Sequence, residues 1–81
     1  MTSRWTTVLS KAELLASYNL TASLDPRFAR EERDFYESRT PAELRSLMAQ
    51  AWLCNEDCHY QKARSYLALR EPAAAAHPHR F

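Results

Sequence analysis

The stretch Thr40–Cys54, with the sequence TPAELRSLMAQAWLC, decides the fold of this chain. Thr40 and Glu43 form a capping box, in which each side chain accepts a hydrogen bond from the other residue's backbone N–H, and Pro41 occupies the first helical position. Apolar side chains then recur at helical spacing, at Leu44, Leu47, Met48, Ala51 and Cys54. The stretch therefore predicts an amphipathic α-helix that begins at Pro41.

The end of this helix is marked less sharply than its start. No strong helix breaker occurs until Pro72 and asparagine breaks helices poorly, so the sequence favours one long helix over residues 41–69. Beyond Asn55 a second apolar stripe appears, turned by about a third of a revolution at about 100° per residue. Its members are Tyr60, Ala63 and Leu67. The alternative is a split near Asn55, with Asn55 capping a shorter final helix.

Two further helix starts lie nearer the N-terminus. Ser10 and Glu13 form another capping box, and Asp25 precedes a proline at a first helical position. These signals predict helices over residues 11–22 and 26–38, with Asn19 as a candidate left-handed residue at the end of the first. Together with the long helix they predict a core made of Leu14, Leu15, Tyr18, Phe28, Leu44, Leu47, Met48 and Ala51.

Composition supports the same class of fold. The chain has no glycine and no isoleucine, and Val8 is its one valine. Strands draw largely on β-branched and aromatic residues, whereas alanine, leucine, glutamate, lysine and arginine favour helices. We therefore predict an all-α protein: a small helical domain of three or four helices over residues 1–70, with one long C-terminal helix that the alternative splits near residue 55, followed by a flexible Pro/Ala-rich tail over residues 71–81.

Size and charge restrict the classes of function. The chain has 81 residues and a net charge of +1, without the basic stripe that is typical of nucleic-acid binders. No apolar run reaches the roughly 20 residues of a membrane span, and no apolar segment comes after the N-terminal basic residues as in a secretory signal. We expect a soluble, intracellular protein that binds no specific nucleic acid and does not span a membrane; the sequence does not distinguish the cytoplasm from an organelle interior.

One local cluster has side chains that could react or bind a metal, and it consists of Cys54, Cys58 and His59. On a continuous helix the two cysteines lie one turn apart, and two thiolates with an imidazole supply three of the four ligands that zinc usually takes. Their spacing matches neither zinc ribbons nor thioredoxin motifs. The favoured interpretation is that both thiols fill a packed helix face, as unpaired cysteines often do. A small redox or metal-binding protein that uses these three residues is the alternative function.

Catalytic motifs are lacking. Without glycine there is no phosphate-binding loop, no dinucleotide-binding fingerprint and no glycine-bordered nucleophile elbow. The acidic residues between Asp25 and Arg39 alternate with arginines, which predicts surface ion pairs at helical spacing: Arg27–Glu31, Arg30–Asp34 and Arg33–Glu37. We therefore expect no enzymatic activity and no cofactor.

Aromatic residues are the most suggestive feature. On a continuous helix Trp52, Tyr60 and Tyr66 point in three different directions. A single helical hairpin cannot cover all three side chains. Tyrosine and tryptophan are enriched at protein–protein contacts. The favoured function is a non-enzymatic helical interaction module, an accessory subunit of a larger assembly or a small adaptor, that binds a protein partner or another copy of itself. The predicted contacts are Trp52, Tyr60, Ala63, Tyr66 and Leu67, with a second patch of Phe28, Phe35 and Tyr36. The alternative is that the short helices pack around these aromatic residues and bury them.

Overall fold

Four α-helices make up the structure, which is a computed structural model that describes residues 7–71. The helices are α1 (Lys11–Leu24), α2 (Pro26–Glu37), α3 (Pro41–Leu53) and α4 (Asp57–Arg70). No strand occurs within the described range, so the prediction of an all-α fold is confirmed. The predicted tail lies almost entirely outside the described residues. Its first residue, Glu71, forms an ion pair with Arg45 of α3.

Each predicted helix start is present. Ser10 and Thr40 both form reciprocal capping boxes, with their hydroxyls accepting from the N–H groups of Glu13 and Glu43. These backbone and hydroxyl contacts hold the pKa of both glutamates below its ordinary value. The caps were predictable because both partners lie within three residues of each other in the chain.

Asp25 joins α1 to α2 without any intervening loop. Its backbone N–H donates to the carbonyl of Thr21, and its carboxylate accepts from the N–H of Phe28. The same residue thus ends one helix and begins the next. α1 ends two residues beyond the predicted 11–22, and the candidate left-handed role of Asn19 is wrong, because Asn19 lies in regular helix.

Surface ion pairs on α2 have the predicted spacing in two cases of three. Arg27 pairs with Glu31 at 3.0 Å and Arg33 pairs with Glu37 at 2.9 Å. The third predicted pair, Arg30–Asp34, does not form in the described structure. These exposed pairs contribute little to stability, which agrees with their interpretation as a solvated helix face.

The favoured continuous helix over residues 41–69 is wrong, and the alternative split near Asn55 is confirmed. The predicted role of Asn55 as the cap of the final helix is wrong, because Glu56 is the N-cap of α4 and Asn55 follows the end of α3. Asn55 adopts a left-handed conformation with φ 57°. Its N–H donates to the carbonyl of Trp52 at 3.3 Å, and the N–H of Glu56 donates to that of Ala51 at 2.9 Å. This pair of bonds is a Schellman motif, usually formed by glycine, with asparagine as the common substitute. Asparagine ends this helix because it tolerates positive φ.

The turn at Asn55 folds α4 back along α3, so that the two helices form an antiparallel hairpin. At one end Trp52 packs against Tyr60, with ring centroids 5.3 Å apart. At the other end Arg45 meets Glu71. The apolar residues of α4 therefore face α3 and the core, and α4 is the most deeply buried of the four helices.

The core agrees with most of the predicted list. Five of its eight residues are buried: Leu14, Tyr18, Leu44, Met48 and Ala51. Leu15 and Leu47 are partly buried. Phe28 is wrong, because it is 51% exposed beside the α1–α2 junction. The remaining buried apolar residues come mainly from α4 and the facing side of α2.

Polar contacts tie the two helix pairs together. Lys62 of α4 forms an ion pair with Glu32 of α2 and lies over the ring of Tyr18, 5.2 Å from its centroid. Ser65, which is fully buried, accepts from the backbone N–H of Leu9 at 2.8 Å and so fixes the segment before α1. Within residues 7–71, no helix is both long and apolar enough to cross a membrane.

Candidate functional site

The α3–α4 turn brings the predicted chemical cluster to the surface. Cys54 is the C-cap that follows Leu53, the last residue of α3, and Cys58 lies in the first turn of α4. Both thiols are free and exposed. The favoured interpretation, that they fill a packed helix face, is therefore wrong. Its premise was a continuous helix, and the break at Asn55 removes the shared face.

His59, the third member of the cluster, makes a contact of its own. Its Nδ1 is hydrogen-bonded to the hydroxyl of Tyr36 at 3.1 Å. Within residues 7–71, no three His, Cys, Asp or Glu side chains come together in a group that could hold a metal ion. The structure thus places Cys54, Cys58 and His59 near one turn without assembling them into a metal centre.

Most residues of the first predicted contact surface lie inside the core. Tyr60 and Ala63 are fully buried, and Tyr66 and Leu67 are nearly so. Trp52 differs, because its side chain is 41% exposed while one part of the ring packs on Tyr60. Of this set, only Trp52 is placed where another protein can reach it.

The second predicted patch divides in a similar way. Phe28 and Phe35 are 51% and 42% exposed, and the Phe35 ring lies under the guanidinium of Arg39 at 4.6 Å. Tyr36 is buried and stacks on Tyr66, with parallel rings 5.5 Å apart. Burial raises the pKa of Tyr36 to about 12. Tyr36 therefore holds α2 against α4 and is not available as a contact.

Among residues 7–71 the tyrosines are buried, whereas the other aromatics, Phe28, Phe35 and Trp52, are exposed. All four tyrosines of the chain are buried, namely Tyr18, Tyr36, Tyr60 and Tyr66. Burial raises the pKa of Tyr18 above its ordinary range. Tyr66 lies close enough to contribute to this shift, but the Tyr18 hydroxyl has no partner in hydrogen-bonding geometry among the described residues.

Four leucines among residues 7–71 are exposed, which the sequence did not predict, and one of them, Leu69 of α4, is 49% exposed. Leu53 ends α3 beside Trp52 and is 83% exposed, and Leu20 and Leu24 are largely exposed on α1 near the junction with α2. The exposure of Leu53 was missed because the sequence did not show that α3 stops there. A residue at a chain reversal has fewer neighbours to cover it. We call the pair Trp52 and Leu53 the hairpin corner.

A groove runs between α1, α2 and α4 on another part of the surface. Its volume is about 210 Å³, and its apolar side chains include Leu14, Leu15 and Leu69. Lys11, Arg33 and Arg70 also line it. This groove could not be predicted from the sequence, because it forms only where α4 packs against the distant helices α1 and α2.

Comparisons with known proteins add no candidate function. No family model matches the chain, and no curated protein or solved structure matches it either. A function must therefore be inferred from the geometry of the described residues.

Proposed function

We propose that this chain is a non-enzymatic helical protein–protein interaction module, either an accessory subunit of a larger assembly or a small adaptor. The observation that supports the proposal is the hairpin corner, where Trp52 and Leu53 are adjacent in sequence and both exposed. Single exposed apolar residues are ordinary, but neighbouring large ones favour a contact surface. Tryptophan is also among the residues that contribute most to binding free energy.

The charged residues nearest the corner are acidic. No lysine or arginine occurs between Arg45 and Lys62, so no long cationic side chain from this part of the chain extends across the corner, and Glu56 and Asp57 follow it. Phe28 and Phe35 on α2 are a second exposed set, the accessible part of the second predicted patch. Burial of such side chains by a partner would contribute about 25 cal/mol per Å² of apolar area.

Site-specific photo-crosslinking tests the proposal. A photo-reactive phenylalanine analogue at position 53 should give one discrete crosslinked product in the native host, either with a second copy or with one other protein. The matched control places the same analogue at Arg27, whose side chain is 87% exposed on α2. Neither position has a buried side chain, so both proteins should fold.

The product at position 53 should also weaken when Trp52 is changed to Gln. Circular dichroism checks that this variant retains its helices, since Trp52 also packs on Tyr60. An identical set of products from positions 27 and 53, or none from position 53, would contradict the proposal. Sedimentation equilibrium of the purified chain distinguishes self-association from binding to a different protein.

A small redox protein that uses Cys54 and Cys58 is the second candidate function, and the exposure of both thiols favours it. Two exposed thiols can be oxidised together by a disulfide such as oxidised glutathione, which accepts two electrons and leaves as two thiols. Intact mass after this treatment should fall by two hydrogens if an intrachain disulfide forms. Only mixed disulfides with glutathione, each adding a glutathionyl group, would argue against this candidate.

A further inference from the structure

The groove between α1, α2 and α4 combines an apolar wall with an excess of positive charge. Leu14 and Leu15 come from α1 and Leu69 from α4, so two helices supply the apolar surface. Leu14 is buried, whereas the side chains of Leu15 and Leu69 keep part of their surface accessible. An apolar ligand can therefore displace water from this wall, which is the main source of affinity in small-molecule sites.

Three cationic side chains and one carboxylate line the same groove. Glu37 already accepts from Arg33 at 2.9 Å, so this pair is close to neutral. The guanidinium of Arg70 donates to the backbone carbonyls of Glu37 and Arg39, which fixes its position but leaves its charge uncompensated. Lys11 forms no ion pair with any described residue. The groove thus has two positive charges in excess.

We propose that this groove binds a small free carboxylic acid with an aryl or short alkyl body. The carboxylate would lie by Lys11 and Arg70, and the body would lie on the leucine wall. Carboxylate complements a guanidinium and an ammonium group in both charge and hydrogen bonding. The volume of about 210 Å³ lies below the about 300–1,000 Å³ of drug-sized sites, so the ligand must be small.

Titration with 3-phenylpropionate, monitored by NMR of the backbone amides, tests this proposal. Shift changes should concentrate in α1, α2 and α4 around Lys11, Leu14 and Leu69. The neutral amide of the same acid controls for the apolar part, and inorganic phosphate controls for the charge. Both controls should bind at least about fivefold more weakly, because each lacks one of the two complementary parts.

Two charge-matched variants locate the site. Lys11→Gln should weaken binding of 3-phenylpropionate about two- to fivefold, the range expected for one exposed charge. Arg27→Gln makes the same change in net charge away from the groove and should leave the affinity unchanged. Leu69→Gln should weaken both the acid and its amide, since it removes part of the apolar wall.

Three outcomes would overturn the proposal. They are equal weakening by Lys11→Gln and Arg27→Gln, equal binding of the acid and phosphate, and shift changes that fall outside the three helices. The site is independent of the hairpin corner, so its failure would leave the proposed interaction function untouched.

Discussion

The left-handed turn at Asn55 provides the sharpest test of the fold. Asn55 is exposed and has φ 57°, so its replacement removes no buried contact and changes mainly the energy of the backbone. A residue with a Cβ atom pays roughly 1–2 kcal/mol in the left-handed helical region, and asparagine recovers part of this cost through local hydrogen bonds. Asn55→Ala should therefore lower the free energy of unfolding by about 1 kcal/mol.

Asn55→Gly replaces the same residue with one that adopts positive φ more easily than asparagine. Glycine adopts positive φ without strain, but it loses more backbone entropy on folding, by about 0.5–1 kcal/mol. The two effects offset one another, so this variant should stay within about 0.5 kcal/mol of the parent. Urea titration monitored by circular dichroism measures both variants, and a loss of about 1 kcal/mol corresponds to about 4–8 °C in Tm for a domain of this size.

The other asparagine of the chain, Asn19, is the matched control. It lies within α1 and is exposed, so Asn19→Ala should raise stability slightly, by about 0.5 kcal/mol, because alanine is the better helix former. The reasoning would be refuted if Asn55→Ala were as stable as the parent and more helical. That result would mean that α3 and α4 join into one helix in solution.

Four other variants have defined directions. Tyr18→Phe should raise the free energy of unfolding by about 1 kcal/mol, because it removes an unpaired buried hydroxyl. Tyr36→Phe should lower the free energy of unfolding by about 1 kcal/mol, because it removes the hydrogen bond to His59. Changes of the same sign in urea titrations of the two variants would contradict this. Ser65→Ala should free the backbone segment before α1, seen as faster amide hydrogen exchange there but not in α3. The pKa values of Glu13 and Glu43 are lower in the folded state, so their contribution to stability is complete above about pH 4.5 and is lost as pH falls through the folded values. Replacing both with Gln should reduce the acid dependence in pH-scanned melts.

The three capped helix starts and the approximate ends of α2 and α4 could be predicted from the sequence, whereas the end of α3 and the start of α4 could not. A cap at Ser10 or Thr40 needs only a glutamate three residues later, which is visible in the chain. Asn19 and Asn55 are the same residue type, yet one continues a helix and the other ends one. The difference arises from tertiary packing, because the residues after Asn55 gain burial only if the chain reverses there.

The signal for this reversal in the sequence was the second apolar stripe, which is rotated about the helix axis relative to the stripe of α3. Tyr60, Ala63 and Leu67 do not share a face with the apolar residues of α3 on one straight helix. After the turn the residues of α4 need not share a face with those of α3, because each helix of a hairpin presents its own apolar stripe to the core. On the premise of a continuous helix, these residues were instead predicted to form a partner surface. All three are buried within the chain.

The same reversal explains why Trp52 is the accessible residue of the first predicted contact surface and why Leu53, which was not predicted, is exposed beside it. A hairpin of α3 and α4 covers the residues along its length, but it leaves its closed end with few neighbours. Trp52 keeps one part of its ring on Tyr60, while Leu53 turns outward into solvent. An apolar pair at this place does not contribute to the core as fully as Leu44 or Met48 does. Packing on Tyr60 accounts for part of the Trp52 side chain but not for Leu53, whereas the proposed interaction function accounts for both residues.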